Sequence, residues 1–321
     1  QDSFQWTSFS EIIEESRTYN NSAYTALRLD SMQFSSIPDR KFRIRGIKIR
    51  VPGAGASGSG TPTVVTSQAV ADSLGLGTVS SFGFIHYPDG YIFDGVMGAA
   101  TWCSDPAMVL LDLLTTSRYG FGDHITDASL DLFSFVSASK FSSALVDDGA
   151  GALEPRFSCN VNIQTSKEAF ELINELAGVM RCMPIWSAGS ITITQDKPSD
   201  PSYLFTLANV GENGFSYAGS SLKTRHSVVS VSYFNMDSQE IDFEVHEDTN
   251  LIAKIGTVVK KVQAFGCTSR NQAKRLAKAI VFAENNESEV VTFSTSIDSG
   301  VIVRPGAIIE IQDPVRAGVR R

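Results

Sequence analysis

The spacing of apolar residues changes along this chain, and this change limits the folds that it can adopt. Near both ends, apolar residues alternate with polar ones, as in "FRIR" and "SVVSVSYF", which is typical of strands with one buried face. In the middle they recur every three or four residues, as on one side of a helix. We therefore predict a multidomain α+β protein, with β-rich, barrel-like parts at 1–104 and 201–321 flanking an α+β module at 105–200.

The central module is predicted to begin with two helices. Asp105-Pro106 provides an N-cap and a proline at the first helical position. A second helix is predicted from about Asp127, with apolar residues at helical spacing at Leu130, Phe133 and Val136.

The rest of the module is predicted as a strand, a helix and a hairpin, which gives an α-β-α-β-β order. Alternation predicts the strand through Phe157, Cys159, Val161 and Ile163. A capping box of Thr165 and Glu168 predicts the helix start, and its buried stripe is Phe170, Ile173, Leu176, Ala177 and Met180. The hairpin is expected to turn at Ala188-Gly189.

The two flanking parts are predicted to be mostly strand. In 1–104, strands are expected at 23–29 and 42–51, followed by a Gly-, Ser- and Thr-rich surface excursion or mobile loop at 53–83. In 201–321, one helix is predicted at 269–284, capped by Ser269 and Gln272. Pro305-Gly306 is a type II turn signal, which predicts a positive φ at Gly306.

The sequence "GAGASG" at 53–58 matches the dinucleotide-binding pattern G-x-G-x-x-G. That pattern requires a helix directly after the glycines, so that its N-terminus can hold a pyrophosphate. The residues that follow include Gly60, Pro62 and three β-branched residues, which do not favour a helix start. We therefore interpret the match as a loop without nucleotide binding.

Side chains that could support catalysis or hold a metal are scattered along the chain. The 4 histidines and 4 cysteines show no metal-ligand spacing, and isolated cysteines are usually small core residues. Glu154, Asp196 and Asp200 flank the module, but carboxylates beside turns are usually solvated or capping. A net charge of −8 argues against general nucleic-acid binding. We predict no catalytic residue, no cofactor and no metal site.

Six blocks of the sequence resemble, in the same order, the host-specificity or tip attachment protein J family of lambda-like long-tailed bacteriophages. They are "LRLDSMQFSSIPDRKFRIRGIKIRVP", "DPAMVLLDLLTTSRYGFGD", "EPRFSCNVNIQTSKEAFELINELAGVMRCMPIW", "ITITQDKPSDPSYLF", "AFGCTSRNQAKRLAKAI" and "VRPGAIIEIQDPVRAG". The glycine-rich stretch between the first two blocks does not share this resemblance. Six ordered blocks are a more specific signal than any single motif.

The resemblance implies a structural hub at the distal tip of the phage tail, which closes the tail tube and supports host attachment and genome ejection. It also implies a homotrimer, made in the bacterial host cytoplasm, that contacts the distal tail protein, other tail tip proteins and the tape-measure protein. Receptor binding in the family belongs to a far C-terminal region. Because family members are much longer and this sequence lacks an initiator Met, we expect it to be part of a longer polypeptide.

Two other functions are alternatives to the hub. One is a receptor- or glycan-binding module of a phage particle, and the other is an enzyme such as a cell-wall hydrolase. The absence of a plausible acid–base pair in the sequence disfavours the enzyme.

The basic strand around "RKFRIRGIKIRVP" is the candidate subunit interface. Its alternation reverses at Gly46, so that one extra residue is needed to keep a single apolar face, and we predict a β-bulge at Arg45-Gly46. With the bulge, five bases share one face: Lys41, Arg43, Arg45, Lys48 and Arg50. The alternative is a solvated edge protected by charge. The predicted complementary acidic face is "IDFEVHE", with Asp242, Glu244 and Glu247.

Overall fold

A computed structural model describes residues 32–33, 36–37, 44–163, 167–187, 189–219, 225–287, 289–316 and 318–320. The chain divides into two compact units, Gln1–Arg45 and Gly46–Arg321, and every described helix and strand belongs to the second. The strand predicted at 23–29 lies outside the described residues.

The strands are short and occur along the whole second unit. In chain order they are β1 (Lys48–Pro52), β2 (Thr63–Val65), β3 (Phe84–His86), β4 (Met97–Trp102), β5 (Leu145–Asp147), β6 (Leu153–Pro155), β7 (Cys182–Ser187), β8 (Ser190–Gln195), β9 (Tyr203–Thr206), β10 (Ser216–Gly219), β11 (Val228–Asn235), β12 (Glu240–Glu247), β13 (Val259–Gln263), β14 (Glu289–Thr292), β15 (Ile309–Asp313) and β16 (Gly318–Arg320).

Seven α-helices accompany these strands within the described residues. They are α1 (Gln68–Ser73), α2 (Pro106–Thr115), α3 (Leu132–Ser143), α4 (Ala169–Val179), α5 (Thr249–Ile255), α6 (Arg270–Asn286) and α7 (Ile297–Ile302). None of the described helices is both long and apolar enough to cross a lipid bilayer.

The largest hydrophobic core lies among α2, α3 and α4, and it also takes in β1 and the β7–β8 hairpin. The predicted start of α2 is confirmed, because the Asp105 side chain accepts hydrogen bonds from the backbone N–H groups of Ala107 and Met108. Proline follows at the first helical position, where its missing N–H costs nothing. The fully buried side chains of Met108 and Leu110 anchor this helix in the core.

The second helix begins later than the sequence pattern predicted. Asp127–Ser129 is a single 3-10 turn, and α3 starts at Leu132 with Asp131 as its N-cap. The shift changes which side chains are buried, so that Phe135 is buried and Phe133 is exposed. The predicted boundary was wrong because two Asp residues in this segment are possible caps, and only packing selects the second.

The segment predicted as a strand at 157–163 does not join a sheet. Phe157 and Cys159 are buried, as their alternation indicated, but the backbone N–H of Cys159 donates to the Ser104 carbonyl and that of Asn160 to the Gly266 carbonyl. The segment is therefore an extended linker between separate parts of the fold. The strands that precede α4 in the module are instead those of the short β5–β6 hairpin, which ends just before this segment.

The predicted capping box of α4 is also corrected. Glu168 is itself the N-cap and makes no side-chain capping bond, while Thr165 lies outside the described residues. The buried face contains Leu172 together with the predicted Leu176, Ala177 and Met180. Phe170, which was predicted to be buried, is exposed in the first turn of the helix.

Residues 53–83 are more ordered than the predicted surface excursion. The backbone N–H of Gly53 donates to the Val96 carbonyl and that of Ala56 to the Ile92 carbonyl. Strand β2, helix α1 and strand β3 then enclose a small core of their own, made by Val65, Ala71, Val79 and Phe84. As expected, no helix opens after the "GAGASG" glycines, because β2 follows them.

After residue 200, the described residues form a set of small sheets with three α-helices, whereas one was predicted. The predicted helix is confirmed as α6, with Ser269 as its N-cap accepting from the Gln272 N–H. The Gln272 side chain does not complete the predicted capping box, because it hydrogen-bonds Ser158 instead. Helices α5 and α7 are additional. The sheets have the strand orders β12-β11-β13, β16-β15-β9 and β10-β14. The mixed α+β class is confirmed, but no sheet closes into a barrel within the described residues.

Two predicted glycine turns are confirmed. Gly189 has a φ of 82° in the two-residue turn between β7 and β8, and Gly306 has a φ of 80° before β15. The two sites differ in the space around them. A Cβ at Gly306 would lie 2.4 Å from the Cγ2 of Thr194, whereas a Cβ at Gly189 would contact nothing within 4 Å.

Replacing Gly306 with alanine is therefore expected to destabilise the protein more than replacing Gly189. Both substitutions place a Cβ at a left-handed backbone, which costs about 1 kcal/mol, but only Gly306→Ala adds a clash, for about 1–3 kcal/mol more. Urea denaturation measures both free energies of unfolding. Equal losses in the two variants would contradict the predicted clash with Thr194.

Candidate subunit-interface surface

The predicted bulge at Arg45-Gly46 is absent, because strand β1 begins only at Lys48. Ile44 and Ile47, which gave the apparent change of register, are both exposed, so the described residues 44–48 have no buried face to maintain. The irregularity in the pairing of β1 with β4 lies further on, between Arg50 and Pro52.

The structure brings only part of the predicted basic face together. Lys48 and Arg50 share a side of β1, opposite the buried Ile49, and Arg45 precedes the strand. Lys41 and Arg43 lie outside the described residues.

Arg50 is occupied by a partner within its own chain. Its Nη1 and Nη2 atoms each donate to Asp127, over 2.8 Å, and Nη2 also donates to the Thr115 hydroxyl over 3.2 Å. The hydrogen bonds from Arg50 hold the pKa of the Asp127 carboxyl below its usual value. The hydrogen bonds from Arg50 to Asp127 connect β1 to the loop before α3, so Arg50 has a structural role inside the subunit.

The predicted acidic residues of β12 do not share one face. In the pairing with β11, Asp242 is opposite Tyr233 and Glu244 is opposite Val231, and both of those partners belong to the core under α6. Glu244 forms an ion pair with Arg270 at the start of α6. Glu247, with the opposite parity, points to the other side of the sheet.

The side of this sheet that faces away from α6 carries a patch of large apolar side chains. Ile241, Phe243 and Val245 alternate along β12, and Phe234 of β11 pairs with Ile241. All four are exposed, and we call them the outer-face patch. The register between β11 and β12 places Phe234 beside Ile241, a neighbour that the alternation within β12 alone does not predict.

The outer-face patch is suited to protein contact. Apolar side chains clustered on an otherwise polar surface mark interaction sites, and β12 is an edge strand of its sheet that presents unpaired backbone groups. By contrast, the described residues contain no group of three His, Cys, Asp or Glu side chains placed to hold a metal ion. All four cysteines are buried, and burial raises the pKa of the Cys159 and Cys182 thiols to about 12, which disfavours the nucleophilic thiolate.

Comparison with solved structures gives partial matches, and two of them are tail proteins. One is the tail protein from Neisseria meningitidis MC58, with 14% identity, a TM-score of 0.39 and coverage of 52% of this chain and 51% of that chain. The other is the 43 kDa tail protein of prophage MuSo2 from Shewanella oneidensis, with 14% identity, a TM-score of 0.36 and coverage of 50% and 49%. TM-scores this low do not establish a common fold.

Sequence comparison is more specific. Residues 168–321 match the family model Phage-tail_3, described as "Putative phage tail protein". The chain is 34% identical over 222 residues to the tip attachment protein J of Escherichia phage SECphi27. The aligned region covers 69% of this chain and 18% of that protein. It is 25% identical over 311 residues to the tip attachment protein J of Escherichia phage SECphi4, covering 96% of this chain and 25% of that protein.

The chain thus spans a quarter or less of the length of these two relatives. Within that span, the match extends over nearly all of its residues and agrees with the family resemblance of the six sequence blocks. This chain belongs to the tip attachment protein J family of bacteriophage tail proteins.

Proposed function

We propose that this chain forms part of the structural hub at the distal tip of a phage tail, where it closes the tail tube and supports host attachment and genome ejection. The observation that carries the proposal is the 34% identity to the tip attachment protein J of Escherichia phage SECphi27. Synthesis in the host cytoplasm precedes assembly into the virion. The role is structural and not catalytic, which zymography on peptidoglycan can test.

The proposed assembly is a homotrimer that contacts the distal tail protein, other tail tip proteins and the tape-measure protein. Host receptors would bind through regions of the whole protein outside this chain. The open edges of the small sheets after residue 200 support assembly, because strands from neighbouring chains can extend them. Four of the basic residues stay a candidate contact with the β12 region, namely Lys41, Arg43, Arg45 and Lys48, whereas Arg50 is already paired with Asp127.

The location at the tail tip can be tested directly. An epitope inserted in the exposed turn at Asp89-Gly90 of the full-length protein, away from the outer-face patch, should be labelled by gold-conjugated antibody on purified virions. The proposal expects label at the distal end of the tail. Label on the capsid or along the tail tube would contradict it.

A charge in the outer-face patch is expected to block assembly. Phe243→Glu in the full-length protein should lower the yield of infectious particles by about 100-fold, because burying an unpaired carboxylate in a subunit contact is strongly unfavourable. Complementation of a phage that lacks the gene product, followed by a plaque count, measures this yield.

Phe282→Glu is the matched control, because Phe243 and Phe282 are both 62% exposed and Phe282 lies on α6, away from the outer-face patch. The control should leave the yield near that of the wild type. Thermal melting of both variants distinguishes lost assembly from lost folding. Equal yields for the two variants would remove the outer-face patch from the proposed interface.

A further inference from the structure

Three arginines from distant parts of the sequence meet at the junction between the central module and α6. Arg156 follows β6, Arg181 follows α4, and Arg275 lies within α6. Backbone carbonyls connect them: Arg275 Nη2 donates to the Arg156 carbonyl over 3.0 Å, and Arg181 Nη2 donates to the Arg275 carbonyl over 3.4 Å. These two hydrogen bonds link the three arginines in one network in spite of their like charge.

The guanidinium of Arg156 stacks on an aromatic ring and has no carboxylate partner among the residues that the structure describes. Its Cζ lies 3.9 Å from the centroid of the Phe141 ring. This stacking fixes the plane of the group and leaves its N–H donors at the edge free to bind a ligand. The side chain is half-buried, so its donors are positioned and still reachable.

Arg181 is held in an unusual backbone conformation. Its φ is 53°, in the left-handed region that glycine and asparagine prefer at the end of a helix. Its Cζ lies 5.6 Å from the centroid of the Phe157 ring, which is 6.3 Å from that of Phe141. Backbone strain of this kind is found most often at functional sites, and here it places a charged side chain where glycine would be easier to accommodate.

The positive charge of the cluster is only partly neutralised. Glu154 contacts Arg275 at 2.5 Å, which leaves the charges of Arg156 and Arg181 without a contacting carboxylate in the described residues. Burial, followed by the charge of Arg275, lowers the pKa of Arg156. Burial also lowers the pKa of Arg181, where Asp196 acts in the opposite direction and the other two arginines add to the lowering.

We propose that Arg156 and Arg181, with Arg275 as a fixed third charge, form a binding site for a phosphate group. A phosphate carries a charge of about −1.5 to −2 at pH 7 and three strong acceptor oxygens. This matches the two arginine charges that lack a contacting carboxylate and their forked donors, which bind phosphate with paired hydrogen bonds. Two hydrogen bonds link the three arginines in one cluster, so the proposed ligand is a single phosphate group of a small ion or ester.

The test is titration of the folded chain with inorganic phosphate and with methyl phosphate in low-salt buffer at pH 7, followed by calorimetry. Saturable binding is expected. Binding of inorganic phosphate alone identifies the free ion as the ligand, and binding of both identifies a phosphate ester group as sufficient. No saturable heat with either probe would overturn the proposal.

Arg181→Gly is the decisive variant, because glycine suits the left-handed backbone and the protein should remain folded. It is expected to raise the Kd for phosphate at least about 10-fold, as loss of a charge-assisted hydrogen bond costs more than the 1.4 kcal/mol of a tenfold change. Arg156→Gln should do the same, while Arg304→Gln, which replaces an exposed arginine before β15, should have no effect. Unchanged affinity in both cluster variants, with circular dichroism showing a native fold, would refute the site.

Discussion

Replacing Asp105 with alanine is expected to lower the free energy of unfolding by about 3 kcal/mol at pH 7. The buried carboxylate caps α2 through the N–H groups of Ala107 and Met108, at 3.0 and 3.1 Å. Its second oxygen accepts the hydroxyls of Ser139 and Ser143 from α3, at 3.0 and 2.9 Å. Loss of an N-cap costs about 1 kcal/mol, and buried donors left without an acceptor cost about 1–3 kcal/mol each.

Asp131→Ala is the matched control for this substitution. Asp131 caps α3, but its side chain makes a single capping bond of 3.4 Å to the Ser134 N–H and is only half-buried. Its loss should cost about 1 kcal/mol or less. Chemical denaturation of both variants measures the difference, and equal losses would show that the two serine hydroxyls contribute nothing beyond the cap.

The same carboxylate is expected to make stability depend on pH. Burial raises the pKa of Asp105 to about 6, against an ordinary value of 3.8, although the N–H of Met108 and three other donors oppose this. Because the folded-state pKa is the higher one, protonation of Asp105 adds an increment of stability that is fully present below pH 3.8 and is lost as pH rises through about 6. The hydrogen bonds to the ionised carboxylate remain above that pH.

Comparison with Asp105→Asn isolates this contribution, because asparagine keeps an acceptor oxygen and does not titrate. The stability of the wild type relative to Asp105→Asn should fall between about pH 4 and pH 7. The other titrating groups act on both proteins and largely cancel in the difference. Parallel stability curves over this range would mean that burial does not raise the pKa of the Asp105 carboxyl.

Features that depend on neighbouring residues could be predicted from the sequence. The caps at Asp105 and Ser269 and the turns at Gly189 and Gly306 are confirmed, because each rests on a local hydrogen bond or a local backbone angle. The segment at 157–163 could not be predicted in this way. Its alternation reports burial on one side, whereas its backbone partners, Ser104 and Gly266, are distant in sequence.

The candidate surfaces show the same limit. The alternation in β12 predicts a strand and its two faces, but not which face packs against the protein. An apolar face is normally expected to be buried, yet here Asp242 and Glu244 face α6 and Phe243 faces outward. The central strand β11 and the alanines of α6 already fill the core on the helix side. The arginine cluster joins residues up to 119 positions apart, so no local pattern reveals it.

Removal of Glu154 is expected to have a comparably large effect, because this carboxylate is a buried, charged connection between the central module and α6. One oxygen contacts Arg275 Nη1 at 2.5 Å, and the other accepts the Ser269 hydroxyl at 2.6 Å. Glu154→Ala leaves the half-buried Arg275 guanidinium without its counter-charge. Removing one partner of a fully buried ion pair costs about 3–5 kcal/mol. Because Arg275 retains some contact with solvent, we expect about 3 kcal/mol.

The ion pair between Glu244 and Arg270 provides the control, since the Arg270 side chain is 73% exposed. Glu244→Ala should cost at most about 1 kcal/mol, as exposed pairs usually do. Adding Arg275→Met to Glu154→Ala should recover part of the loss, because the double variant no longer contains an unpaired charge. Urea denaturation of four variants measures these values: Glu244→Ala, Glu154→Ala, Arg275→Met and the double variant. The loss of unfolding free energy in the double variant could instead equal the sum of the losses in the two single variants. The effect of Glu154 would then arise from its bond to Ser269 at the start of α6, and not from the charge of Arg275.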